Sequence, residues 1–107
     1  MKSLVLLNTT IVTTDGSFEL KTISLEEARE IVAEHKFVSA IGHESTAKMM
    51  NTLLLRDDIE ANRYNFTQEV NQVALCFKIP RQTEGRILTL DELKQLPYEF
   101  KLMTRTA

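Results

Sequence analysis

A histidine preceded by a glycine stands where an apolar helical pattern begins. The stretch SAIGHEST, residues 39–46, contains Gly42 and His43, and His43 is one of two histidines in the chain. A helix start carries unpaired backbone N–H groups and about half a unit of positive charge, so it favours a bound anion. Gly42 lacks a Cβ and lets a ligand approach the backbone closely. We interpret the stretch as a candidate anion site, with an exposed helix cap that has no task as the plainer alternative.

The imidazole of His43 is suited to proton transfer in this position. The helix dipole disfavours its protonated form, whereas a bound phosphate favours it, so His43 becomes a proton donor mainly when the anion is present. General acid catalysis of this kind is worth about 10²–10⁴ in rate. The other histidine, His35, continues the apolar stripe of an earlier helix near its C-terminal end, where we expect a structural role.

Further polar groups fall at the predicted ends of strands. They are Asn8 after the first strand, Arg63 before a predicted hairpin, and Arg81 with Glu84 after it. Binding residues collect at such positions, and the planar guanidinium group matches phosphate oxygens in pairs. Each group alone is most simply a solvated surface charge. Together with His43 they would suit a phosphodiester, with cations for the anion, an imidazole for the leaving oxygen and a carboxylate for orientation.

The sequence argues against a metal site and a duplex partner. It has no aspartate cluster for paired magnesium ions, no glycine-rich phosphate loop, and a single cysteine, Cys76, which excludes an internal disulfide and a cysteine-based zinc cluster. With a formal net charge of −2, an anionic partner must be held by local cations, and duplex nucleic acid is a poor candidate. We expect no cofactor and a metal-free mechanism, in which the 2′-hydroxyl of RNA attacks the neighbouring phosphorus.

The elements that position these residues predict one α/β domain over residues 1–107. The length and a hydrophobic share of 43% fit one globular core, and no apolar run is long enough for a signal peptide or membrane span. We therefore expect a cytoplasmic protein without a membrane partner. The run SLVLLN predicts a strand buried on both faces, and FVSAIG a short strand. The expected order is β-β-α-β-α-β-β-α-β, a mixed sheet of about five to six strands with about three flanking helices.

Two capping boxes mark helix starts. A serine or threonine followed three residues later by glutamate satisfies free N–H groups reciprocally, and this spacing occurs at Ser24 with Glu27 and at Thr89 with Glu92. The first of these helices should run to about Lys36. Between them, methionines and leucines at helical spacing after the histidine motif predict a second helix whose methionines fill the core.

Turn and alternation signals predict the remaining elements. Asp15-Gly16 indicates a hairpin or tight loop between the first two strands. Alternation from Tyr64 to Ile79 predicts an antiparallel hairpin, and YEFKLMT predicts a final strand. Cys76 lies in the second arm of that hairpin, and a lone strand cysteine is far more often inert than catalytic.

Four ordered stretches resemble the viral ring nuclease family, which comprises the anti-CRISPR proteins of the type III pathway. Members of this family also occur in bacteria and mobile elements. They are LLNTTIV near the start, SAIGHEST, NRYNF at the hairpin and RQTEGRILTLDEL after it. The resemblance covers nearly the whole chain, and IGHEST and R-x-x-E-G are its most specific parts. It implies a homodimer that binds cyclic tetra-adenylate and cleaves it without metal into linear di-adenylates, with one cut at each of two equivalent sites.

The resemblance also implies roles for individual residues. The histidine of the I-G-H motif, His43, would act as the general acid. Arg81 and Glu84, from R-x-x-E-G, and Arg63, which opens the hairpin, would contact or orient the scissile ribose-phosphate.

The loop after the first strand departs from the family pattern. Asn8 would help to hold the nucleotide, and Gly42 would lie against it. Some members carry a serine three residues after this asparagine, where the present chain has Ile11. Thr9 or Thr10 would supply the hydroxyl group instead.

A different class of function uses much the same residues. A non-catalytic dimeric module that binds a cyclic nucleotide, a nucleic acid or a protein partner would need the arginines. It would not need His43 or Glu84, so cleavage separates the two hypotheses.

Overall fold

Strands and helices alternate along most of the chain. The computed structural model describes residues 4–8, 14–62, 67–78 and 89–107. The elements in these ranges are β1 (Leu4–Leu7), β2 (Phe18–Ile23), α1 (Leu25–Glu34), β3 (Phe37–Ser39), α2 (Glu44–Leu54), β4 (Val73–Lys78), α3 (Leu90–Lys94) and β5 (Glu99–Arg105). The predicted single α/β domain, with a five-stranded mixed sheet and three helices, is confirmed.

The strand β1 lies inside the sheet, as its apolar run predicts. The strand order is β2-β5-β4-β1-β3, with β1 parallel to both neighbours and β5 antiparallel to both of its own. All four residues of β1 are buried. Because β3, β1 and β4 run in one direction, their carboxyl ends meet at one edge of the sheet, where ligands bind in open α/β sheets.

One predicted strand pairing is wrong. Residues 73–78 form a strand, but β4 pairs with β1 on one edge and with β5 on the other over residues 74–76. No edge remains there for an antiparallel hairpin partner, and Tyr64 and Phe66 of the predicted first arm lie outside the described residues. Alternation identifies a strand but carries no information about its neighbours, which explains the error.

The predicted turn at Asp15-Gly16 is a loop and not a hairpin between the first two strands. The strand that follows it, β2, pairs with β5 and not with β1. Gly16 has a φ of 154°, and a Cβ at this position would lie 2.5 Å from the carbonyl oxygen of Ala107. Glycine is therefore required where the loop passes the C-terminal residue.

Both predicted capping boxes form. Ser24 Oγ accepts a hydrogen bond from the N–H of Glu27 at 3.1 Å, and Thr89 Oγ1 accepts one from Glu92 at 3.2 Å. The helix α1 ends slightly earlier than predicted, and His35 is its exposed C-cap residue. The predicted placement of His35 on the apolar stripe is therefore wrong, because the last turn of α1 leaves the core.

No helix in the described ranges is long and apolar enough to cross a membrane.

All three described helices pack on one face of the sheet. The main core joins residues from every helix to the strand residues that point toward them, among them Leu6, Leu75, Phe77, Phe100, Val32, Met50 and Leu93. Met49 and Met50 are 3% and 0% exposed, so the prediction that the methionines of α2 fill the core is confirmed.

A smaller buried cluster lies on the other face of the sheet. Its members are Val5, Leu7, Ala74, Cys76 and Met103. Burial raises the pKa of the Cys76 thiol to about 12, so the thiol stays protonated at neutral pH. A thiol without thiolate character is a poor nucleophile, in agreement with the predicted inert role.

Relief of backbone strain at the end of α2 should stabilise the fold. Leu55 closes the helix in the left-handed region, with φ 57° and ψ 45°, and 67% of its surface is exposed. Glycine adopts this conformation without a Cβ clash, so we expect Leu55→Gly to raise the free energy of unfolding by about 0.5–1 kcal/mol. Urea unfolding measures the change. Leu55→Ala keeps the Cβ and is the control, and equal stability of the two variants would contradict the strain.

Candidate functional site

Three of the predicted site residues meet at the carboxyl edge of the parallel strands. Asn8 directly follows β1, and Gly42 and His43 follow β3 and lead into α2. The other predicted site residues lie outside the described ranges, as does Ile11. These are Thr9, Thr10, Arg63, Arg81 and Glu84. The roles of these five residues stay predictions, whereas Asn8, Gly42 and His43 lie within the described ranges.

The side chain of Asn8 extends the pairing between β1 and β3. The N–H of Ala40 donates to the carbonyl oxygen of Leu6 at 2.9 Å, which continues the parallel ladder beyond β3. Two residues on, the N–H of Gly42 donates to Asn8 Oδ1 at 3.3 Å. The amide oxygen thus stands where the next backbone carbonyl of a regular ladder would stand. Asn8 thereby ties the residue before His43 to the end of β1.

His43 begins α2 without capping it. Its backbone is extended, with φ −131° and ψ 130°, and its carbonyl oxygen accepts from Ala47 N–H at 3.2 Å. The imidazole is exposed and makes no capping hydrogen bond. Helix N-caps are usually short polar residues whose oxygens satisfy the first N–H groups. The ring therefore contributes nothing to the helix start and is available to a ligand.

The charge at this helix start is mixed. Glu44, in the first turn of α2, is exposed and lies 3.6 Å from Lys48 one turn further along the helix. A carboxylate near the helix start competes with a bound anion for the positive end of the dipole. The ion pair with Lys48 offsets part of that charge, and at such exposure it contributes little to stability.

A segment missed by the sequence analysis holds the same connection from its other side. In segment 59–62, Asn62 donates from its N–H to Ile41 O at 2.8 Å and from Nδ2 to Ser39 O at 2.9 Å. Asn62 directly precedes Arg63 in the chain. No sequence signal marks Asn62, because an isolated asparagine in a segment without periodicity has no predictable partner.

The far end of α2 is anchored by Arg56. Its guanidinium group forms two hydrogen bonds with Asp58, at 2.7 and 2.6 Å, which raise the pKa of Arg56 and lower that of Asp58. It also donates to Val32 O at 3.2 Å and lies 5.1 Å from the ring centroid of Phe37. These contacts connect the end of α2 to α1 and β3, so the helix that carries His43 is held at both ends.

Metal ligands do not cluster in the described part of the chain. No group of three or more histidine, cysteine, aspartate or glutamate residues in these ranges is arranged to hold a metal ion. Near the start of α2, the described residues offer hydrogen-bonding groups of the backbone and of Asn8, and the exposed His43 imidazole.

Comparison with protein families and known proteins identifies relatives in bacteria and archaeal viruses. A family model described as STIV B116-like matches residues 4–100. The protein YddF of Bacillus subtilis (strain 168) is 36% identical over 103 residues, which cover 92% of this chain and 94% of YddF. The protein ORF117 of Acidianus two-tailed virus is 34% identical over 109 aligned positions, covering 95% of this chain and 92% of ORF117.

A further viral relative and a solved structure agree with this grouping. Protein 26 of Sulfolobus islandicus filamentous virus (isolate Iceland/Hveragerdi) is 34% identical over 84 residues, covering 77% of this chain and 70% of that protein. B116 of Sulfolobus turreted icosahedral virus (STIV) superposes with a TM-score of 0.82 at 20% identity, covering 97% of this chain and 100% of B116. The structural likeness shows a shared fold, and none of these proteins carries a name that states an activity.

Replacement of Asn8 tests its contact with Gly42. Asn8→Ala removes the acceptor of the Gly42 N–H bond, so we expect the free energy of unfolding to fall by about 1 kcal/mol. Asn8→Asp keeps an acceptor oxygen at the same position and should lose less. Urea unfolding of the two variants measures the difference. Stabilities in the reverse order would show that the acceptor does not support this connection.

Proposed function

We propose that this chain, which belongs to the STIV B116-like family, is a metal-independent ring nuclease whose site lies at the carboxyl edge of the parallel strands. The proposed substrate is cyclic tetra-adenylate, cleaved to linear di-adenylates, which would antagonise type III CRISPR signalling. The observation that carries the proposal is the exposed His43 imidazole at the start of α2, beside a Gly42 backbone fixed by Asn8. The four motifs that resemble viral ring nucleases support the same substrate.

The proposed reaction is attack by a 2′-hydroxyl on the adjacent phosphorus. The bond between the 2′-oxygen and phosphorus forms while the bond to the 5′-oxygen breaks. His43 gives its proton to the departing 5′-oxygen, and the 2′-hydroxyl proton passes to solvent. The protein need only hold the linkage in line, because the nucleophile belongs to the substrate.

Binding of the phosphate would draw on the helix start and on nearby donors. The first N–H groups of α2 favour an anion, and Asn8, whose Oδ1 is engaged by Gly42, can offer Nδ2. The loop hydroxyl groups of Thr9 and Thr10 would add contacts, and Arg63 would pair with phosphate oxygens. In the proposal Arg81 and Glu84 orient the reacting ribose-phosphate.

A two-fold ring calls for a two-fold protein, so the proposal includes a homodimer. Two exposed apolar side chains support a dimer partner on the sheet face opposite the three helices. They are Leu20, 53% exposed, and Val38, 42% exposed, on the two edge strands. Light scattering should give a mass of twice the 12.3 kDa chain. Leu20→Lys combined with Val38→Lys should reduce it, whereas a monomeric wild-type protein at micromolar concentration would contradict the dimer.

Incubation with cyclic tetra-adenylate in excess EDTA tests the activity directly. Linear di-adenylates separated by chromatography are expected, because no step uses a metal ion. Tight retention of an intact ring would instead favour the non-catalytic binding module.

The two histidines provide a matched pair of variants. His43→Ala should lower the cleavage rate by about 10²–10⁴ while binding of the ring is largely retained, because only the proton donor is lost. His35→Ala removes the other exposed imidazole, at the end of α1, and should cleave like wild type. Unchanged turnover in His43→Ala would rule out the assigned acid.

A further inference from the structure

The connection into α2, taken from residue 39, the last of β3, to residue 42, has hydrogen-bond partners on both sides. Toward β1, Ala40 donates to the Leu6 carbonyl at 2.9 Å and Gly42 donates to Asn8 Oδ1 at 3.3 Å. In extended backbone the polar groups of successive residues point to opposite sides. The even-numbered residues of the connection therefore face β1, and the odd-numbered residues face away from it.

Asn62 occupies the side that faces away from β1. It donates from its backbone N–H to Ile41 O at 2.8 Å and from Nδ2 to Ser39 O at 2.9 Å. The N–H of Ile41 on the same side donates to Ser39 Oγ at 3.3 Å. A single residue thus pairs with the connection as a short neighbouring strand would, and it does so from an exposed position.

The segment that carries Asn62 is itself attached to α2. Asn51, on α2, accepts from the N–H of Ile59 at 2.9 Å and donates to its carbonyl oxygen at 2.8 Å. The hydroxyl of Ser39 donates to the carbonyl oxygen of Glu60. Segment 59–62 is therefore attached both to α2, at Asn51, and to the connection, at Ser39 and Ile41.

We infer that Asn62 is a positioning residue, which fixes the backbone connection that leads into His43. The inference rests on the proposed function, in which His43 acts on a bound phosphodiester. Asn62 touches the connection two residues before His43 and directly precedes Arg63 in the chain. A shift of this contact would move His43 relative to a bound phosphodiester, and a misplacement of about 1 Å can cost about 10²-fold in rate.

The chain offers a matched control for a merely structural role. Asn51 also makes two hydrogen bonds to segment 59–62, but its side chain bonds to Ile59 and not to the connection before His43. Asn62→Ala removes the bond to Ser39 O and leaves the backbone bond to Ile41 in place. Asn62→Asp has the same shape but sets a carboxylate oxygen against Ser39 O.

Kinetics with cyclic tetra-adenylate separate positioning from stability. We expect kcat to fall about 10- to 100-fold in Asn62→Ala and Asn62→Asp with a much smaller change in KM, because alignment and not capture is lost. Asn51→Ala should keep kcat near wild type after correction for the folded fraction. A wild-type kcat in Asn62→Ala, or an equal loss in Asn51→Ala, would overturn the positioning role.

A readout without catalysis distinguishes failure of this role from failure of the proposed function. The NMR signals of the Gly42 amide and the His43 imidazole should move in Asn62→Ala, while the His35 imidazole serves as an internal reference. If the wild-type protein leaves cyclic tetra-adenylate intact, the proposed function fails. The NMR signals alone then decide whether Asn62 fixes the connection before His43. Unchanged Gly42 and His43 signals would overturn the role of Asn62.

Discussion

The parallel pairing of β1 with β3 and β4 is the constraint on which the rest of the structure depends. β1 is buried on both faces, with relative exposures between 0% and 7%, so neither neighbour can be exchanged for solvent. Parallel neighbours require crossovers, and the described helices of these crossovers lie on one face of the sheet. The same pairing brings the ends of three strands to one edge, where Asn8 and the entry to α2 meet.

The site is built on a helix that is held at both ends. Arg56 fixes the far end through Asp58, Val32 and Phe37, whereas Asn8 and Asn62 hold the residues before His43 from opposite sides. Each hydrogen bond contributes only about 1 kcal/mol, but together they leave the connection little freedom. The backbone that carries the exposed His43 imidazole is therefore held in place, which would suit the proton transfer that we propose.

Fold and chemistry come from different parts of the molecule. The likeness to B116 at 20% identity shows the shared sheet and helices, and a fold of this kind carries no activity by itself. The proposed chemistry would depend on a few side chains at the strand ends. Of these, His43 is predicted from the glycine before it and from its place at a helix start, and the structure shows it exposed at the start of α2.

The sequence by itself determined the local elements: both capping boxes, the buried first strand, and the helix that begins at His43. Each of these depends on residues within about four positions of one another, so short patterns are enough to reveal them. Only the tertiary structure decided that β4 lies between β1 and β5, that His35 leaves the core, and that Asn62 supports the helix start. The strand pairing and the Asn62 contacts join segments far apart in the chain, and hydrophobic spacing does not encode which segments become neighbours.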